Sequence, residues 1–236
     1  MFVTKVSFGL LAMLMVFSAE GKVKHIFIYT HIHQFANYAC NFFILTIITC
    51  IRFFPRSNER DYITIESRSG CYSYVGRQGY SQTVSLARNG CLYHSTVQHE
   101  LLHALGFNHE QTRSDRDNHI QVIWENISDD MKYNFNKINT LNQGTPYDYS
   151  SVMQYERYAF SKNGRPTMIP IPNNNAALGT STEMSQNDII RINRLYQCCE
   201  CSITHIHLCA PHSRTHTILT MKYNIHITFV GRLLNI

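Results

Sequence analysis

Residues 99–117, HELLHALGFNHEQTRSDRD, leave a chain few ways to fold. His99 and His103 stand four apart, so on an α-helix their imidazoles share one face, about one turn apart. Two neutral imidazoles at that separation can bind one Zn2+, with Zn–N distances of about 2.0–2.1 Å. Glu100 lies between them, beside the metal but not on it, where a general base for water must stand. Gly106 ends the helix, because glycine accepts the left-handed conformation that a helix C-cap needs. The chain can then turn and return His109 as a third ligand. Three protein nitrogens leave one position open, which marks a catalytic zinc rather than a structural one. The spacing of Ser95 and Gln98 predicts a capping box at the start of this helix, with Leu101, Leu102, Ala104 and Leu105 on its core face.

A histidine taken alone is more often an ordinary core or surface residue than a ligand. The long pattern H-E-x-x-H-x-x-G-x-x-H with a methionine turn downstream is far more restrictive. The turn here is Ser151-Val152-Met153-Gln154-Tyr155. HELLHALGFNHEQTRSDRD followed by YDYSSVMQY resembles the astacin family of metzincin endopeptidases, in particular its hatching-enzyme and nephrosin-like branch, over residues 49–198.

The resemblance implies an α+β fold. A twisted, mostly parallel sheet and the zinc helix would form an N-terminal lobe, and a C-terminal lobe would be irregular with a final helix. It implies one zinc on His99, His103 and His109, with the Tyr155 hydroxyl as a further ligand and Glu100 as the catalytic residue. Met153 would floor the site, and Glu110 would be buried and paired through water with a processed N-terminal ammonium. It also pairs Cys71 with Cys91 and Cys50 with Cys198. The substrate would be an extended protein segment added to the strand at residues 81–87, the sheet edge beside the cleft. Egg-envelope or extracellular-matrix glycoproteins are the substrates it points to. Gln154 stands where many relatives carry histidine, and Gly79-Tyr80 where they carry two glycines, which predicts strain at Tyr80.

The 236 residues suit one domain, and 44% hydrophobic with 16% charged residues marks a globular chain. A net charge of +5 from scattered residues gives no nucleic-acid stripe. Residues 1–20 read as a signal peptide, with an apolar core (Phe8–Phe17) too short to span a bilayer. A buried N-terminal helix is the alternative. Secretion suits eight cysteines as disulfide formers, and no membrane span is expected. In that compartment Asn126-Ile127-Ser128 is a glycosylation sequon.

Two segments fit no pattern. Residues 21–48 show neither amphipathic period nor caps, and Phe42–Ile48 reads as a strand. Without the family's first strands and helix, the core face of Ile51, Phe53, Ile63 and Ile65 is expected to be partly uncovered. Glu110 is expected to lack its cation. Residues 199–236 match nothing; His31 and His33 look like a metal pair but read as ordinary outward polar residues on a strand-like stretch, and histidines 205, 207, 212 and 216 are too irregularly spaced for a second metal site. Cys40, Cys199, Cys201 and Cys209 stay unassigned. These gaps support a rival reading, a zinc-binding secreted module with impaired catalysis. Strands are expected at 50–54 and 61–66, and a loop at 71–80. Ser185 and Asp188 predict a box that opens the final helix.

Overall fold

The computed structural model of the chain describes residues 24–29 and 41–198. Five strands form the main sheet: β1 (Lys24–Tyr29), β2 (Ile51–Pro55), β3 (Ile63–Glu66), β4 (Cys71–Ser73) and β5 (Gln82–Leu86). Their spatial order is β2-β1-β3-β5-β4. β1 runs parallel to both β2 and β3, pairing Ile26 with Phe53 and Ile28 with Ile63. β5 is parallel to β3, and only β4 is antiparallel.

Three expectations change here. Residues 21–48 are not empty of family-like structure: they supply the strand between β2 and β3, and residues 41–48 form a helix, α1. Phe42–Ile48 is therefore helical and not a strand. Phe42 and Leu45 are buried one turn apart, while Phe43 and Ile47 face outward. The Phe42 ring meets that of Phe53 at 4.6 Å between centroids. In consequence Ile51, Phe53, Ile63 and Ile65 are covered, none more than 3% exposed.

The edge of the sheet also moves. β5 is an interior strand, covered on one side by β3 and on the other by β4. The edge is β4, at the start of the predicted loop 71–80. Among the described residues no strand lies on its far side. Gly79 takes the positive φ (+80°), so Tyr80 carries no left-handed strain.

Helix α2 (His94–Ala104) packs on β4 and β5 through Val97, Leu101 and Leu102. The second lobe has its own core of Ile120, Ile127, Phe135, Met168 and Leu178 around a two-stranded ribbon, β6 (Ile120–Val122) with β7 (Met168–Pro170). The final helix, α3 (Gln186–Leu195), opens on the predicted box: Ser185 Oγ accepts from Asp188 N, and Ser185 N donates to Asp188 Oδ2, both at 3.0 Å. It returns to the first lobe. Ile192 and Tyr196 join the main core, and the Tyr196 hydroxyl donates to Leu105 O at the end of α2 (2.9 Å). Both disulfides implied by the resemblance are formed, Cys50–Cys198 and Cys71–Cys91.

Candidate metal centre

The histidines sit where α2 stops. Its N-cap is Tyr93, with no side-chain cap, so the predicted Ser95–Gln98 box is absent. Gln98 instead accepts from Met184 N at 2.7 Å, a tertiary tie, and meets the ring of His94 one turn back in the same helix at 2.9 Å. At the other end Gly106 has φ +102°, and Phe107 N donates back to Leu102 O. That turn brings His109 round. Its Nε2 lies 3.2 Å from His99 Nε2 and 3.1 Å from His103 Nε2.

Backbone carbonyls set the tautomers. His99 Nδ1 donates to Val152 O and His103 Nδ1 donates to Phe107 O, both at 2.8 Å. A carbonyl can only accept, so the proton is on Nδ1 and the Nε2 lone pair is free. Burial, the leading cause, lowers the pKa of all three imidazoles, His103 to about 4 and His109 to about 2. Neutral nitrogens facing one another at this range repel unless a cation lies among them. Nitrogens on a tetrahedral zinc, at about 2.0–2.1 Å from the metal, stand about 3.3 Å apart. The donor set fits such an ion, and it is the one His/Cys/Asp/Glu group suited to a metal among the described residues.

Glu100 is 5% exposed, and its Oε2 has no hydrogen-bond partner. Desolvation pushes its pKa up to about 7. An orphaned buried carboxylate is costly in a structural role and ordinary in a general base. The Tyr155 ring lies 4.3 Å from that of His109, and burial raises the hydroxyl to about 12, with smaller effects from Tyr133 and Glu100. The phenol therefore keeps its proton. Met153 is 2% exposed and packs in the same core as Leu101 and Leu102.

Glu110 is not uncompensated. Its carboxylate accepts from Arg191 twice (Nη1 at 2.7 Å, Nη2 at 3.0 Å), from Arg113 Nη1 at 3.3 Å and from Asp148 N at 2.7 Å. The chain supplies the cations from its own side chains.

Sequence reasoning missed several supports. Asp188 was read only as a cap, yet it also accepts from Ser151 Oγ (2.7 Å) and Val152 N (3.0 Å) and so holds the methionine turn. Gly179 (φ +67°) lies against the backbone after Tyr155, where an added Cβ would stand 2.4 Å from Glu156 Cα. Gln154 accepts from the Tyr147 hydroxyl at 2.6 Å and donates to Tyr155 O at 3.0 Å. None of these contacts has a local sequence signal. Asn126 lies away from the centre and is a poor acceptor for a glycan. It is 8% exposed, its Nδ2 donates to Pro166 O at 2.7 Å, and its Oδ1 accepts from Asn163 at 2.8 Å. A glycan on Nδ2 requires that buried amide to leave. Residues 1–20, His31, His33, Cys40, Cys199, Cys201, Cys209 and histidines 205, 207, 212 and 216 lie outside the described residues.

A helix bearing two histidines and a glutamate, a glycine turn that returns a third histidine, and a methionine turn beneath them define a metzincin-type centre. A profile of the astacin peptidase family matches residues 28–197, and the chain belongs to that family. It is 55% identical over 150 residues to the low choriolytic enzyme of Oryzias latipes, covering 64% of this chain and 55% of that protein. High choriolytic enzyme 1 of the same fish is 56% identical over 151 residues, covering 64% and 56%. The solved structure of that second enzyme, described as a hatching enzyme zinc-protease, shares the fold at a TM-score of 0.71 and 48% identity, covering 74% of this chain and 90% of that chain. This chain spans a little over half the length of these two curated relatives.

Proposed function

We propose that the chain is a secreted zinc endopeptidase that cleaves extracellular proteins, egg-envelope proteins among them. The observation that carries this reading is the unpartnered Glu100 Oε2 beside three imidazoles whose Nε2 atoms converge. One zinc, held by His99, His103 and His109, would polarise the scissile carbonyl and lower the pKa of water toward neutrality. Glu100, with a pKa near 7, takes the proton from the attacking water and hands it to the leaving amine nitrogen. Tyr155, protonated, donates to the developing oxyanion. The free edge of β4 receives the substrate as an added antiparallel or parallel strand, and its backbone groups do the binding.

The egg-envelope assignment rests on the printed names of the choriolytic relatives. Secretion rests on the leader read in residues 1–20 and on the two disulfides. Among the described residues no helix is long and apolar enough to cross a membrane. Two grounds for an impaired module no longer hold, since β1 and α1 complete the core and Glu110 is paired.

Metal analysis and peptide cleavage test the proposal together. The protein should hold one zinc, His103→Ala should lose it, and Glu100→Gln should keep it while kcat drops by about 10²–10⁴-fold. Zinc retained by His103→Ala, or near-normal turnover by Glu100→Gln, would overturn the assignment.

A further inference from the structure

The first two turns of α3 reach toward two of the three histidines by two arms of opposite charge. Asp188 holds Val152, whose carbonyl fixes His99. Arg191, one turn on, holds Glu110, the residue bonded to His109. His103 needs neither arm, being fixed by Phe107 O within its own turn.

We propose that Arg191 is a positioning residue for the metal centre, acting through Glu110 on His109; this rests on the zinc reading above. Unlike the other two rings, His109 has no carbonyl contact at Nδ1 among the described residues, so its orientation depends on the backbone that carries it and on the Tyr155 ring beside it. That backbone is clamped at Glu110, through its amide and its side chain. Glu110 N donates to Met153 O at 3.0 Å, and the Glu110 side chain is seized by the Arg191 fork. Arg191 is rigid in turn. Its Nε donates to Thr145 Oγ1 at 2.7 Å and its Nη2 to Pro146 O at 2.9 Å, so the guanidinium cannot rotate without breaking bonds on both edges. The pair is almost wholly buried, at 7% and 3% exposure, where a bidentate fork sets geometry as well as charge. Groups that orient a ligand from behind typically change metal affinity by about 10–100-fold when lost.

The experiment measures zinc affinity by chelator competition, with kcat and KM on one peptide, for the parent, Arg191→Lys, Arg191→Gln and Arg191→Gln with Glu110→Gln. Lysine keeps the charge and loses the fork. Arg191→Lys should bind zinc about 10-fold more weakly, with kcat lowered and KM unchanged at limiting zinc. Arg191→Gln strands a buried carboxylate and should be worse or fail to fold. The doubly substituted protein removes that charge and should recover folding while its zinc affinity stays about 10-fold weakened, because the fork is still missing; recovery of the parent's affinity would also overturn the proposal. A purely structural role would lower the melting temperature of Arg191→Lys and leave its zinc affinity untouched, and that result overturns the proposal. A parent that binds no zinc would instead sink the metal-centre reading itself.

Discussion

Gly179 shows how narrowly single residues are constrained around the candidate site. It is remote from the histidine motif in sequence, yet its φ of +67° and the Glu156 backbone at 2.4 Å from an added Cβ leave room only for hydrogen. Gly179→Ala must both adopt a left-handed backbone and push back the segment that follows Tyr155. The first effect costs about 1–2 kcal/mol and the second about 1–3 kcal/mol. We expect urea unfolding to show a loss of about 2–5 kcal/mol at unchanged slope. If Tyr155 acts as proposed, kcat should fall with it in the folded variant, and adding Gly179→Ala to Tyr155→Phe should cost little further activity. The same scale explains why the ligands were legible and their supports were not. His99, Glu100 and His103 are set by helical spacing, and Gly106 announces the turn to His109. Asp188 and Arg191 act across 36 and 81 residues respectively, and nothing local distinguishes them from a cap and a surface arginine.

At the scale of elements, α1 and β1 were the least legible. A surface helix declares itself by contrast between its faces. In residues 41–48 the outward positions, Phe43 and Ile47, are as apolar as the buried Phe42 and Leu45, so the period is erased. β1 fails for a related reason. A strand flanked by parallel neighbours on both sides reads as a continuous apolar run, not an alternation, and HIFIY is such a run. The final helix had clear signals, because Ser185 and Asp188 form a box that depends on four residues alone. If α1 covers the core as described, Leu45→Ala, at a position 0% exposed, should destabilise the fold by about 2–5 kcal/mol, whereas Phe43→Ala should change it by less than about 1 kcal/mol. Thermal melting of the two variants decides this, and equal effects would mean that α1 does not pack as described.

Across the whole molecule the two lobes are joined at the back as well as through the metal helix. Ile192 and Tyr196 of the last segment lie in the N-terminal core, and Cys198 is bonded to Cys50 beside β2. The two cysteines are separated by 148 positions, so nearly all of the described chain lies inside one covalent ring. If the chain is the protease proposed above, its exposed loops are open to attack by neighbouring copies. One cut in the exposed segment 173–175 would turn this ring into an open bracelet with its clasp still fastened. Such a nicked protein should run as a single species on a denaturing gel without reductant and as two fragments with it. Wear of that kind would accumulate in the molecule without taking it apart.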